Sequence, residues 1–554
     1  MPTIKVNTRE FCNFVGKNMS VDEIAERIPM LGVAWEGHTN DEFEVEVFPN
    51  RPDMLSVEGL ARSFSSFLGF KKGLKKYSAE QSEYMITVDG SVSKVRPIIV
   101  SCVIKGLDFN DDLIKSVMQL QEKLMLTHGR KRKKVAIGLH DLDKINFPLT
   151  YTTVNDNVRF IPLEFNEEMS IKQILETHPK GKEYAHILQG SQNYPVIIDA
   201  VGRIISFPPI INSEHTKINE NTKNIFVDIT ALDAKAAMEV LNIIATNLAD
   251  RGGRIFRVKI KYPDSLIYTP DLSTREINVD LKYANKILGL NLDTEQAIEF
   301  LKRMGYDAIE LRKDVLKVQI PCYRTDIMHE FDIVEDIAIA YGYENFDAEI
   351  PNISTIGGED QLEAFATKIR SLLVGFGLQE VLTFILSNKN ALFEKMNLKE
   401  QDIAETANSK TSEYNVVRNW LLPSMMDVLA RNKHNDYPQN IFEVGDCVEL
   451  ASNDIGAATV KKMCIVLCHA KASFSEIKSI VESFMKNIGI EDYAIEEDNH
   501  DSFIPGRTAK LIIKGREIAL FGEIHPIVLE KWGLEMPVAA CEMNVNWLFE
   551  EIFK

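Results

Sequence analysis

PCYRTDIMHEFDIVEDIAIAYGYENF, residues Pro321 to Phe346, gathers carboxylates along one edge of an otherwise apolar helix. Asp332, Glu335 and Asp336 fall at i, i+3 and i+4, which is one helical face. Ile333, Val334, Ile337, Ala338 and Ala340 fill the other side, and Asp326 lies just ahead of the first turn. Acids in an opening turn are favoured by the backbone dipole alone. Clustered carboxylates also repel one another unless a cation neutralises them, and hard oxygen donors suit Mg²⁺. Arg324 is the competing neutraliser, and the spacing leaves both readings open.

Working outward, the strand VLKVQIP precedes this helix, and two short helices precede the strand, Leu281 to Leu288 and Thr294 to Met304, joined by GLNLD. Two helices with a short Gly-containing turn, then a strand, predict a helix-turn-helix or winged-helix unit. Near the N-terminus, SVDEIAERIPMLG predicts a helix capped by Ser20, with Glu23 completing a capping box and Gly32 ending it. DEFEVEVFP alternates as a half-buried strand, and Asn50-Arg51-Pro52-Asp53 turns into a helix from Ser56 to Phe67. From about 85 to 265, β-type runs at 98–100, 135–137, 196–198 and 225–227 alternate with helices at Asp111 to Thr127 and Ala231 to Leu248, the pattern of a mixed domain. Beyond it, a helix from Gln361 to Phe376 leads into runs that read as antiparallel strands: EVLTFILS, NIFEVGDCVEL, KKMCIVLCHA, AKLIIKGREIALFGEI and VAACEMNVNWLF. No internal repeat or low-complexity segment interrupts them.

At 554 residues the chain exceeds a single core, so three or four domains are expected. Its 45% hydrophobic and 26% charged residues are those of a soluble globular protein. The longest apolar runs are too short to span a bilayer, and the N-terminal residues carry no signal-peptide pattern. Seven dispersed cysteines suggest neither a zinc site nor a disulfide framework. A reducing cytoplasm is the expected compartment. The net charge of −18 excludes an indiscriminate nucleic-acid binder, though not a local RNA-binding patch. Arg130, Lys131, Arg132, Lys133 and Lys134 supply such a patch, although most runs of this kind are solvated loops. In SFPPIINSEHTKI and the following VDIT, Ser206, Asn212, Ser213, Glu214, His215, Thr216, Asp228 and Thr230 crowd polar groups around a rigid Pro-Pro turn. Ser, His and Asp all occur there, but the G-x-S-x-G elbow of a serine hydrolase does not. A pocket positioning a water is as well supported as covalent catalysis. The neighbouring pair His140-Asp141 reads as structural. No P-loop, G-x-G-x-x-G, H-E-x-x-H or paired CxxC occurs.

Taken in order, PNRPDMLSVEGLARSF, KKVAIGLHDLDKI, SFPPIINSEHTKI, TKNIFVDIT, the acid helix, IFEVGD, FIPGRTA and FGEIHP resemble the β subunit of phenylalanyl-tRNA synthetase in its archaeal/eukaryotic form. The resemblance implies an α+β multidomain chain: a mixed α/β N-terminal domain (1–84), an editing-type domain (85–268), a helix-turn-helix/winged-helix-like domain (269–350) and an antiparallel class II synthetase-like domain (358–554). The last would be catalytically degenerate, since no motif 3 G-x-G-x-x-R is present. It further implies an (αβ)₂ tetramer that attaches phenylalanine to tRNA(Phe), with ATP bound mainly by the α subunit. By the same resemblance, Asp326, Asp332, Glu335 and Asp336 would hold Mg²⁺, with Asp336 standing where glutamate is usual. Hydrolytic editing of Tyr-tRNA(Phe) would use Asp228, Thr230 and Ser206, with Ile197 and Ser206 lining the pocket. The basic run would guide the tRNA 3′ end. An extra OB-fold insert and an RNA-binding domain beyond Trp547 are not expected. A covered apolar flank on residues 362–554 is expected wherever an α subunit docks. The competing classes are a free-standing RNA-binding protein and a stand-alone aminoacyl-tRNA hydrolase.

Overall fold

The computed structural model describes residues 2–553. They form two compact units, which divide between Ile350 and Pro351. Among the described residues no helix is long and apolar enough to cross a membrane.

The first unit begins with a three-stranded antiparallel sheet in which Glu42–Val47 lies between Thr3–Asn7 and Val33–His38. Ser20 and Glu23 form the expected capping box, and the helix they open, Val21–Arg27, tightens into a 3-10 turn at Pro29 before Gly32 adopts φ 91°. Pro29 cannot donate the next helical hydrogen bond, which accounts for the change of winding. Ser56 caps Val57–Phe67 through Gly59 N.

An eleven-stranded mixed sheet follows. At its centre for function, Asn224–Ala231 lies between Ile98–Lys105 and Val135–Asp141, antiparallel to both. Period-two alternation divides this strand. Ile225, Val227 and Ile229 enter the core shared with helix Ala234–Asp250, while Phe226, Asp228 and Thr230 point to the opposite face. That helix starts three residues later than its apolar pattern predicts, because Ala231 is still paired in the sheet and Asp233 caps the first turn through Ala236 N.

Next, Arg275–Asp280, Val315–Ile320 and Asp307–Arg312 form a three-stranded antiparallel sheet. Helices Leu281–Leu288 and Thr294–Arg303 precede its last two strands, and the acid helix Glu330–Tyr341 follows them.

In the second unit, seven strands run in the order Gln379–Glu380, Gln439–Leu450, Ala457–Cys468, Val538–Asn544, Arg516–Ile524, Phe503–Ile513 and Ala494–Glu497. All pairs are antiparallel except the first. Both faces are covered, as the near-continuous apolar run KKMCIVLCHA requires. Met463, Ile465 and Leu467 pack under helices Gln361–Gly375 and Phe474–Asn487, while Cys464, Val466 and Cys468 face Leu422–Asn432. All seven cysteines are free thiols.

Two strand expectations fail here. In EVLTFILS only the ends are paired, Glu380 with Phe442 and Leu386–Ser387 with Val416–Val417, while Leu382 and Phe384 between them stand 83% and 74% exposed with no partner strand among the described residues. The end of VAACEMNVNWLF leaves the sheet at Asn544, whose side chain accepts from Trp547 N and opens helix Val545–Phe553. Val545 and Leu548 then share one helical face and enter the core.

Candidate functional site

The cavity of greatest chemical interest in the first unit, about 190 Å³, lies over the polar face of the Asn224–Ala231 strand. Asp228 and Ser206 both line it, together with Arg132, Gly138, Pro209 and Asn212. Asp228 is 1% exposed, and its Oδ1 lies 2.7 Å from His140 Nε2. An ionised carboxylate only accepts, so the shared proton sits on Nε2. The other ring nitrogen, Nδ1, meets Thr216 Oγ1 at 2.7 Å. The imidazole is therefore fixed at both ends, and it in turn fixes the carboxylate at the cavity wall.

This placement depends on a glycine. Gly138 is the register partner of Asp228, and a Cβ there would lie 2.1 Å from Asp228 Oδ1. No other residue lets the carboxylate cross the strand toward His140. Ser206 Oγ donates to Asn212 Oδ1 at 3.0 Å, and Asn212 Nδ2 reaches Leu139 O at 3.4 Å. His140 is thus engaged by Asp228 and Thr216, not by a serine. Among the described residues Ser206 has no histidine base, so the arrangement suits a positioned water better than a serine nucleophile.

Thr230 is fully buried, and its Oγ1 accepts from Arg96 Nε at 2.8 Å. Arg96 is itself buried, and burial pulls its guanidinium down to about 10. It also donates to the carbonyls of Thr230, Arg132 and Lys133, tying the strand to the basic turn. In that turn Arg130, Lys131 and Arg132 all take positive φ. Arg130, Lys131 and Lys133 are exposed, while Arg132 folds inward. Its Nη1 donates to Ile210 O at 2.7 Å, and its guanidinium lies 4.3 Å from the Tyr184 ring centroid.

The acids of the opening stretch are organised around Arg324. Its Nε and Nη2 bind Asp326 in a bidentate pair at 2.8 and 2.7 Å, and Nη2 also reaches Asp336 Oδ2 at 2.7 Å. The Tyr306 hydroxyl donates to the same Asp336 oxygen. Burial penalises the Asp326 carboxylate, yet Arg324 and then Arg51 hold it below the usual carboxylate range. Asp332 caps its own helix, with Oδ2 accepting from Met328 N and His329 N at 2.7 and 2.8 Å. Glu335 accepts no hydrogen bond among the described residues, and burial followed by Asp336, Asp332 and Asp326 pushes its carboxyl up. No three acidic, histidine or cysteine side chains among the described residues converge as a metal cage. The donor chemistry and the surplus negative charge fit a hard cation. Within this chain alone, however, Arg324 does the neutralising.

Three family models match the chain in series: the B3/4 domain over residues 109–251, the tRNA synthetase B5 domain over 277–343, and the phenylalanyl tRNA synthetase beta chain CLM domain over 347–545. A phenylalanine–tRNA ligase beta subunit of Archaeoglobus fulgidus is 43% identical over 553 residues, covering 99% of both chains. The chain belongs to the phenylalanyl-tRNA synthetase β-chain family. The corresponding subunit of Pyrococcus furiosus is 42% identical across 99% of this chain and all of its own. A crystal structure of an N-terminal fragment of the Pyrococcus horikoshii β subunit superposes with a TM-score of 0.60 at 38% identity, over 61% of this chain and 99% of the fragment.

Within this β-chain fold, the B3/4 segment carries the cavity and the B5 segment ends on the acid helix. Of the four residues expected at the pocket, Ser206 and Asp228 meet at its wall. Ile197 is not among its lining residues: it is fully buried and pairs in register with Ser206. Thr230 lies one pleat along from Asp228, under Arg96. Sequence reasoning missed His140, whose partner is not its neighbour Asp141 but a residue 88 positions away. It also missed Gly138 and Arg96. The only local signal was a glycine inside a β-type run, which marks a close approach. In the second unit, Leu382, Phe384, Ile385 and Leu386 form a contiguous exposed apolar edge, which is the expected mark of a docking flank.

Proposed function

We propose that this chain acts as the β subunit of a phenylalanine–tRNA ligase, assembled with an α subunit as an (αβ)₂ tetramer in the cytoplasm. In that assembly the α subunit binds ATP and carries out the attachment of phenylalanine to tRNA(Phe), and this chain hydrolyses Tyr-tRNA(Phe). The residues 269–350 segment then serves as a helix-turn-helix/winged-helix-like unit, and residues 358–554 as a catalytically degenerate class II-like domain. The need for hydrolysis is physical: a phenylalanine pocket cannot strongly reject a side chain that merely adds a hydroxyl.

The observation that carries the editing reading is the meeting of Asp228 and Ser206 at one cavity wall, with His140 holding the carboxylate in place. Asp228 would accept a proton from, or orient, the water that attacks the ester linking tyrosine to the tRNA ribose. Ser206 and Asn212 would meet the polar parts of the bound tyrosine, with Ile197 backing the wall. Thr230 acts through Arg96, which anchors the basic turn. That turn would receive the phosphates of the tRNA 3′ end, and Arg132 bonded to the Pro209-Ile210 carbonyls links it to the cavity. Where Mg²⁺ binds, Glu335 and the oxygens of Asp332, Asp336 and Asp326 would hold it, and it would add positive charge beside Arg324. This ion is structural in the proposal.

The test compares this chain alone with the chain co-expressed with an α subunit. Charging only by the complex, with tyrosine released from tyrosyl-tRNA(Phe), is the expected result. Asp228→Ala should leave phenylalanine charging intact while mischarged tRNA accumulates. A parallel loss of charging would signal misfolding and remove the editing assignment. Metal analysis of the complex should lose Mg²⁺ with the double change Asp332→Ala and Glu335→Ala, and an unchanged metal content would return these acids to helix capping.

A further inference from the structure

A second, larger cleft, about 520 Å³, lies in the first unit; it shares no lining residue with the Asp228 cavity, although Arg51 and Arg324 form part of its wall. It falls within the roughly 300–1,000 Å³ typical of small-molecule sites. Its lining is strongly cationic: Arg51, Arg62, Lys71, Lys72, Lys75 and Arg324 against two carboxylates, Glu58 and Asp250. In a chain of net charge −18 this concentration is unusual, and low-dielectric walls focus its field on an entering anion.

Not every cation there is available. Arg51 is held bidentate by Asp53, Lys72 pairs with Glu299, and Arg324 serves Asp326 and Asp336. Glu58 is taken by Arg251 from outside the lining. The remaining group is unbalanced. Arg62 and Lys75 share the single carboxylate of Asp250, at 2.7 and 2.6 Å, and Tyr77 OH donates to it as well. Among the described residues Lys71 has no carboxylate partner, and its Nζ donates only to Phe14 O. Three cations therefore face one acid.

Unspent hydrogen-bond donors accompany the unspent charge. The Arg62 side chain is 9% exposed and rests 3.9 Å from the Tyr323 ring centroid, and its Nε and Nη2, both buried, have no hydrogen-bond partner among the described residues. Arg324, 2% exposed, has the same orphan at Nη1. Orphaned N–H groups on buried guanidiniums are costly, and few groups satisfy them as well as an oxyanion, whose geometry matches the planar fork. Ser63 adds a hydroxyl that accepts from Arg51 Nη2 and retains its own proton to donate.

We propose that this cleft binds a phosphate-bearing ligand, with Arg62 and Lys71 as the main contacts and Arg324 and Ser63 beside them. A tetrahedral phosphate dianion carries more acceptor oxygens, spread over more directions, than the two of a planar carboxylate, so it suits donors that come from several side chains. The phosphate belongs either to a free nucleotide or to a backbone position of bound RNA.

The experiment is calorimetric titration of the full-length chain at low salt with inorganic phosphate and with AMP, repeated in the presence of an unacylated RNA oligonucleotide. Lys71→Glu changes an exposed side chain, and Arg62→Lys keeps a cation over Tyr323; thermal melts check that both fold. Saturable binding, weakened about ten- to a hundredfold in each variant by the loss of one charge-assisted hydrogen bond, is expected. AMP binding more tightly than phosphate identifies a nucleotide as the source. Equal binding that the oligonucleotide abolishes identifies an RNA phosphate. Absence of saturable binding, or binding that neither variant weakens, overturns the proposal.

Discussion

Gly138→Ala is the sharpest single perturbation of the cavity. The new methyl would lie 2.1 Å from Asp228 Oδ1, 2.8 Å from its Cγ and 2.9 Å from His140 Nε2, all of them inside ordinary contact and the first by more than an ångström. Both neighbours are buried and neither is the end of a long flexible chain, so the carboxylate must swing away and release the 2.7 Å bond to His140. Overpacking of this kind costs about 1–3 kcal/mol. Losing a charge-assisted bond in a buried site adds about 1.5–3 kcal/mol. Urea unfolding, with amide exchange following the Val135–Asp141 strand, should thus show about 2.5–6 kcal/mol of destabilisation. A displacement of about an ångström at the reacting geometry also costs on the order of a hundredfold in rate, read as single-turnover release of tyrosine from tyrosyl-tRNA(Phe). The double variant with Asp228→Ala removes the atoms nearest the methyl. It should regain the overpacking share, about 1–3 kcal/mol, but neither the bond to His140 nor the hydrolysis, a coupling that a double-mutant cycle measures directly. If Gly138→Ala matches the parent in both stability and hydrolysis, the placement of Asp228 is wrong.

Other outcomes follow from the same geometry. Arg324→Met strands Asp326 and Asp336 in a buried site and should cost about 3–5 kcal/mol at neutral pH. The folded-state value of Asp326 is depressed, so its stabilising contribution is present above the unfolded value and fades as pH falls through the folded one. The gap between parent and variant should accordingly narrow in acid unfolding scans below the ordinary aspartate range; a constant gap would show that the pair is not what Arg324 supplies. Changing Leu382 and Phe384 together to Ser removes two exposed apolar anchors worth about 1.5–3 kcal/mol each, so α-subunit affinity in a co-purification titration should drop about 10²- to 10⁴-fold with the fold unchanged. Unaltered assembly would free that edge from the interface. Arg132→Met loses the hydrogen bonds to Pro209 and Ile210 carbonyls and should raise KM for mischarged tRNA about tenfold without affecting charging; an effect on kcat alone would place Arg132 at the chemistry instead of at tRNA binding.

Local rules determined much of this protein. The Ser20 capping box, the helices at Val57–Phe67, Leu281–Leu288 and Gln361–Gly375, and the buried strand holding Cys464 and Cys468 all stand where residue periodicity and caps put them, since those signals act within a turn or a pleat. The order of motifs was likewise enough to name the family. Tertiary structure decided the partnerships. His140 chose Asp228 over the adjacent Asp141 because strand alternation sends neighbours to opposite faces, whereas register brings distant residues onto one. It also set Arg324, which the sequence offered only as a competing neutraliser, directly against Asp326 and Asp336, a contact that spacing along one helix leaves open when the cation arrives from a preceding turn. EVLTFILS shows the converse limit: its apolar content reads as one strand, but only its two ends meet a neighbour that offers a ladder.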